Sequence, residues 1–170
     1  MAQQKANKIS SLDELFIDVL EDIYDAEHQI TEAMPKMIEA ATSPDLKKGL
    51  KDHLEQTRKQ VERLDQIFKN MNKKAEGKKC HGMQGLIKEG DEIMKEASDP
   101  MVKDAGMIAA AQKIEHYEIS AYGTARTYAQ ALGHKDVARL LEQTLQEEGA
   151  TDKRLTALAE GHINAQAKKG

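Results

Sequence analysis

Six side chains that can ligate a metal ion fall on or beside the predicted apolar faces of helices. They are Glu27, His53, Glu115, Glu118, Glu148 and Asp152. A charge that faces a protein core without compensation is costly, and several carboxylates together also repel one another. Divalent iron or manganese accepts carboxylate oxygens and imidazole nitrogen. The pattern therefore predicts a centre of two metal ions, with iron as the expected metal and manganese or zinc as alternatives.

Spacing along the second half of the chain places four carboxylates in one layer. Antiparallel helices bring together residues that are equally distant from their turn, and this turn is centred near Gly133 or His134. Glu118 then comes level with Glu148 or Gly149, and Glu115 comes level with Asp152. We therefore predict that two neighbouring helices present all four carboxylates at the same height.

The first half of the chain offers fewer ligands. Its turn is centred near Thr42, which places Glu27 level with about Arg58. Besides His53, the inward or half-inward groups of the second helix are Gln56, Thr57 and Gln60. This helix thus supplies one histidine and no clear carboxylate.

Each candidate also has a simpler interpretation. A single half-buried glutamate such as Glu27 is more often held by an ion pair than by a metal. His53 is equally consistent with an ordinary interface histidine or a histidine paired with a carboxylate. Glu147 replaces Glu148 as the inward residue if the last helix is rotated. The metal centre is the interpretation that explains all the carboxylates together.

These residues need helices to position them, and apolar residues at helical spacing predict four long helices and one short one. The predicted long helices cover about 11–41, 44–71, 99–132 and 135–160, and a short accessory helix falls between Met83 and Met94. Ser11 and Glu14 form a capping box, and Pro35 predicts a kink near 31–34.

The fold class predicted from these elements is an all-α, ferritin-like four-helix bundle. Two helical hairpins with short turns are joined by about thirty residues, from Asn72 to Met101. A single long crossover of this kind, here carrying the short accessory helix, is typical of ferritin-like bundles. We assign one domain to 11–160 and expect flexible tails at 1–10 and 161–170.

Composition excludes several other classes. The net charge is −4, with 25 basic residues scattered among 29 acidic ones, so no basic face is available for nucleic acid. The first ten residues contain no apolar run, which predicts a cytoplasmic protein without a membrane span. The single cysteine, Cys80, cannot form an intramolecular disulfide and is expected to be a small buried residue.

The sequence resembles the YciE/YciF family of ferritin-like stress proteins, and its YciF branch in particular. The likeness runs from about Ser11 to Glu160 and includes the crossover segment KCHGMQGLIKEG. It implies a usually dimeric bundle with a di-metal centre and no firmly assigned reaction. The other segments that carry it are DIYDAEHQ at 22–29, HLEQTRKQVERLDQ at 53–66, IAAAQKIEHYEISAYGT at 108–124 and QTLQEEGATDKRL at 143–155.

The ligand motifs of the wider superfamily match this chain only in part. Glu27 fits the glutamate of the first helix, and Glu115 with Glu118 fits those of the third. The Glu-x-x-His motifs of the second and fourth helices do not match, because none of the six histidines follows a glutamate by three positions. From their facing and height, we propose His53 and Asp152 as substitute ligands, and a site with fewer nitrogens suits manganese or zinc as alternatives to iron.

Two functions are consistent with the sequence. The first is a di-iron protein that reacts with oxygen or peroxide as an oxidase or peroxidase, or in iron and oxygen detoxification. The second is a non-catalytic metal-binding or structural stress protein that acts by forming a homodimer or binding another protein. The sequence has no nucleotide-binding glycine loop and no cysteine-rich module. Any electron donor must therefore be a separate protein or a small molecule.

Overall fold

The structure, a computed structural model, describes residues 8–169 and is all-helical over that range. The predicted tail at 1–10 lies mostly outside the described residues. The predicted four long helices and the short helix of the crossover are confirmed. Their bounds are α1 Leu12–Ala40, α2 Pro44–Asn70, α3 His81–Glu96, α4 Pro100–Ala131 and α5 Lys135–Leu158, followed by a π-helical turn Ala159–Ile163 and a short α6 Asn164–Ala167.

Side-chain caps start the first four helices. Ser11 Oγ accepts a hydrogen bond from the backbone N–H of Glu14 at 3.1 Å, as the capping box predicts. Ser43 caps α2, and Asp99 caps α4 by accepting from the N–H groups of Met101 and Val102. Such caps satisfy N–H groups that have no partner inside the helix.

Left-handed residues end α2 and α4. Gly133 has φ 80°, and the N–H of His134 donates to the carbonyl of Ala129 at 2.8 Å. Asn72 has φ 54°, and the N–H of Lys73 donates to Phe68 at 2.9 Å. Both are Schellman-type ends, which reverse the chain without leaving the last carbonyls unpaired.

The four long helices form a bundle in which every neighbour is antiparallel. α1 packs against α2 and α4, α5 packs against the same two helices, and α3 lies across α1 and α4. Asp104, which is fully buried, accepts hydrogen bonds from the N–H groups of Thr42 at 2.9 Å and Ser43 at 2.6 Å. This carboxylate fixes the start of α4 beside the α1–α2 turn, so the crossover runs the length of the bundle.

α1 is one continuous helix that contains Pro35. α5 ends at Leu158, close to the predicted end near Glu160, but the chain then continues helically to Ala167. Ile163 is fully buried in contact with the core around Met107 and Leu155. The expectation of a flexible tail is therefore wrong for residues 161–167.

The interior has an apolar core at each end and a polar layer between them. The first apolar core contains Phe16, Leu20, Leu64, Phe68 and Leu141. The second apolar core contains Met37, Leu46, Leu50, Met107 and Leu155. Within residues 8–169, no helix combines the length and the apolar character needed to cross a membrane.

Candidate metal centre

Four of the six predicted ligands meet in the polar layer. His53 comes from α2, Glu115 and Glu118 from α4, and Glu148 from α5. One ligand atom of each lies within 4.8 Å of the ligand atoms of the other three. All four side chains are buried, with exposures of 5% or less. This spacing is compatible with one metal ion held by one imidazole and three carboxylates.

Glu27 of α1 completes the buried cluster. It is fully buried, and one of its oxygens accepts a hydrogen bond from the hydroxyl of Tyr122. Its carboxyl group faces Glu118 and is close enough to Glu148 for their charges to interact. We call Glu27, His53, Glu115, Glu118 and Glu148 the carboxylate cluster.

Asp152, the sixth predicted ligand, is not part of the carboxylate cluster. Its carboxylate accepts a hydrogen bond from Gln112 at 3.0 Å and lies 3.2 Å from His116, whose side chain is 69% exposed. Successive helix residues are rotated by about 100°, so position 152 is turned about 40° away from Glu148, toward the seam between α4 and α5. Asp152 thus lies beside the cluster, but its side chain does not face into it as predicted.

Regular helix geometry explains why the other residues converge. Glu118 lies fifteen residues before Gly133 and Glu148 fifteen residues after it, so the α4–α5 turn places them level. Glu115 lies one turn from Glu118 on the same face of α4. His53 reaches Glu115 across the bundle, with 3.1 Å between its Nε2 and a carboxylate oxygen.

A chain of polar contacts holds Glu148 from the side of α2. The amide nitrogen of Gln60 donates hydrogen bonds to Glu148 and, at 3.1 Å, to Glu147. The guanidinium of Arg63 donates hydrogen bonds to both carboxylate oxygens of Glu147, at 2.9 and 3.0 Å. Glu148 is thus the inward residue and Glu147 the half-buried partner of Arg63. Sequence reasoning noted Gln60 but missed Arg63, although its position three residues after Gln60 places it near the same face.

Burial makes the cluster carboxyls weak acids. Loss of solvent, with the neighbouring charge of Glu148, raises the pKa of Glu27 to about 8. Loss of solvent likewise raises the pKa of Glu115 to about 7 and the pKa values of Glu118 and Glu148 well above their ordinary range. Without a cation, the layer therefore retains protons near neutral pH.

The residues present fit a divalent metal. Among residues 8–169, both oxygens of Glu118 and one oxygen each of Glu27, Glu115 and Glu148 are buried without a hydrogen-bond partner. Buried polar atoms are normally paired, so such a concentration requires a reason. A set of carboxylate oxygens with one imidazole nitrogen suits iron, manganese or zinc.

The fold and the cluster together define a class, the ferritin-like four-helix bundles with a candidate metal centre in the interior. Within that class the chain belongs to the DUF892 family of domains of unknown function, whose family model matches residues 11–168. The resemblance derived from the sequence motifs is thereby confirmed.

Relatives of known structure cover nearly the whole chain. The YciF protein of Escherichia coli K12 is 43% identical over 161 residues, which are 94% of this chain and 97% of that protein. The crystal structure of the E. coli stress protein YciF has a TM-score of 0.88 and covers 92% of this chain and 99% of that one. YcfI of Rhodopseudomonas palustris is 49% identical, with a TM-score of 0.87, and covers 89% of this chain and 96% of that one. A Xanthomonas campestris protein that is 22% identical shares the fold, with a TM-score of 0.75. The alignment covers 94% of this chain and 98% of that one.

Proposed function

We propose that this protein is a cytoplasmic, homodimeric stress protein that holds two metal ions, iron in the first place, in the carboxylate cluster and reacts with oxygen or peroxide. The observation that carries the proposal is the group of buried carboxylate oxygens without partners, five of them among residues 8–169. The likeness to a relative described as a stress protein supports the cellular role.

The two ion positions differ in how many ligands they have. His53, Glu115, Glu118 and Glu148 would hold the first ion, because their ligand atoms are mutually close. Glu27 would hold the second ion and share Glu118, which it faces. Gln60 occupies one oxygen of Glu148, so only the other oxygen of that residue is free for a metal.

The chemistry follows from the position of the cluster between two apolar cores. Two ferrous ions, if held by these residues, would supply two electrons, which with two protons suffice to reduce dioxygen to hydrogen peroxide or hydrogen peroxide to two molecules of water. The chain's own part is to keep the carboxylates away from bulk water, to orient Glu148 through Gln60, and to hold a proton at the Tyr122 hydroxyl against Glu27.

Metal content is the first test of the proposal. After chelation, anaerobic reloading with ferrous iron and desalting, we expect two ions per chain by elemental analysis. Glu148→Gln removes a ligand charge and should bring the count below two. Asp152→Asn is the matched control on the same helix and should leave the count at two. An unchanged count for Glu148→Gln would refute the site assignment.

Reaction with oxygen is the second test. Air admitted to the ferrous protein should produce a ferric absorption band, and peroxide should be consumed faster than by free iron. If the wild-type chain retains less than one ion and shows neither signal, the protein is a structural member of the family. That outcome would agree with the description of its relative YcfI as a candidate structural protein.

A further inference from the structure

An apolar cavity adjoins the carboxylate cluster on the side of the second apolar core. Its volume is about 30 Å³, which is room for roughly two water-sized molecules. His53 and Glu115 lie at its inner end, and the half-buried Gly49 and Leu158 lie where it approaches the surface. The cavity therefore occupies the space between the candidate metal centre and the outside of the bundle.

The wall of the cavity is lined mostly by aliphatic side chains. His53 and Glu115 are the polar groups at its inner end, and each has one buried side-chain atom without a hydrogen-bond partner among residues 8–169. The other polar groups of the wall are already engaged or turned outward. The hydroxyl of Thr151 donates to the carbonyl of Glu147 at 3.2 Å, and the side chain of Arg154 is 52% exposed, 3.8 Å from Asp52. The aliphatic wall consists of Ile30, Met34, Leu50, Ala111, Ile114 and Leu155.

Such a wall discriminates between small molecules by their polarity. Hydrogen peroxide would give up its hydrogen bonds to water on entering and would find few replacements. Dioxygen has no such bonds to lose and gains dispersion contacts with the aliphatic wall. An apolar cavity of this kind stays free of ordered water but accepts apolar gases and small hydrocarbons.

We propose that this cavity is a binding site for dioxygen and its route to the metal centre. The route rests on the proposed function, whereas binding itself does not require a metal. Of the two oxidants considered above, the cavity thus selects oxygen. Peroxide must reach the cluster by another path or not at all.

Binding is tested on the full-length chain in chelator, by methyl NMR with and without dissolved oxygen. Oxygen is paramagnetic, so methyl groups that contact it relax faster. The methyls of Leu50, Ile114 and Leu155 should show an enhancement several times that of Leu20 and Leu141, which are buried in the first apolar core. Equal enhancement in both sets would overturn the proposal, whether or not the protein binds iron.

The route is tested with a variant that fills the outer end of the cavity and with a matched control variant. A Cβ built on Gly49 would lie 3.8 Å from Leu158 Cδ1, an ordinary contact, so α2 has room for a side chain there. Gly49→Phe should abolish the oxygen-induced relaxation and slow oxidation of the ferrous protein by oxygen several-fold, with oxidation by peroxide unchanged. Gly49→Ala should behave as wild type in all three measurements.

The outcomes separate the two proposals. If Gly49→Phe slows oxidation by oxygen and by peroxide equally, or slows neither reaction, the cavity is not the route for oxygen and this inference fails. If wild-type ferrous protein reacts with neither oxygen nor peroxide, the proposed function fails, and the route fails with it. If it reacts with peroxide alone, only the route fails. The methyl relaxation of the wild-type chain then still decides whether the cavity binds oxygen, and it needs no variant to fold.

Discussion

The two sides of the carboxylate cluster are built differently. The side formed by α4 and α5 contributes three carboxylates, Glu115, Glu118 and Glu148, each with at least one buried oxygen that has no partner among the described residues. The side formed by α1 and α2 contributes Glu27, which is bonded to Tyr122, and His53. Negative charge is therefore concentrated on one side.

This difference shows how the chain limits the free-energy cost of burying charged groups in its interior. On α2, Gln60 brings an amide to Glu148, where a further carboxylate would add charge. The amide satisfies one oxygen and leaves the total charge unchanged, and buried charge that lacks a partner is the most expensive kind. We expect one ion to bind tightly on the α4–α5 side and the second, nearer Glu27, to bind more weakly.

The largest expected effect concerns pH. The pKa values of Glu27 and Glu115 are raised in the folded chain, to about 8 and about 7, from 4.5. Their contribution to stability is then fully present below pH 4.5 and is lost as the pH rises through 7 and 8. In chelator, we expect Tm to fall by roughly 10 °C between pH 5 and pH 8.5, at about 2–4 °C per kcal/mol.

Manganese provides the control for this prediction, because it binds ionised carboxylates without reacting with air. The metal displaces protons, so its affinity and the Tm gain that it causes should increase with pH. A Tm that is independent of pH in chelator would show that the cluster is ionised and compensated without metal. The expected difference in ion affinity between the two sides of the cluster would then have no energetic basis.

The next largest effect is expected at Glu118, the residue that both ion positions share. Glu118→Gln keeps the shape of the side chain and removes its charge. We expect metal affinity to fall by roughly 100-fold, which corresponds to about 2.7 kcal/mol. In chelator, the same variant should show a smaller fall of Tm at high pH, because fewer carboxyls must ionise in the interior. Isothermal titration with manganese and thermal melts measure the two effects.

Asp152→Asn is the matched control for Glu118→Gln, since it neutralises a carboxylate of the α4–α5 seam outside the cluster. Its affinity for manganese should equal that of the wild-type chain. If instead Asp152→Asn weakened binding as much as Glu118→Gln, the prediction of Asp152 as a metal ligand would be correct, and the division of ligands proposed above would be wrong.

The sequence predicted most of the fold because its signals are local. The caps at Ser11 and Ser43 and the glycine at 133 mark helix boundaries directly. The helical continuation after α5, through residues 159–167, was missed because Gly161 resembles a stop signal. What overrides it is the burial of Ile163 against distant parts of the chain, which no local pattern reveals.

The site was predicted where distance from a turn and facing agree, and missed where they conflict. Glu118 and Glu148 satisfy both criteria. Asp152 satisfies the first only, and one step of helical rotation takes it out of the cluster. The link from Arg63 through Glu147 to Gln60 was missed because it depends on contacts between α2 and α5, whose relative rotation the sequence does not specify.

The smallest effect is expected from a change that makes the two sides more alike. Gln60→Glu adds a carboxylate on α2 beside Glu148. Because Glu148 is a ligand of the first ion position, we expect the first ion to bind roughly tenfold more tightly, about 1.4 kcal/mol. In chelator the added acid should lower Tm at pH 8, because it increases the charge that the interior must bury. Gln60→Met, similar in size but unable to donate, should weaken the first ion instead, because Glu148 loses the amide that orients it. If Gln60→Glu and Gln60→Met change this affinity in the same direction, the α2 side of the cluster is not limited by its missing carboxylate.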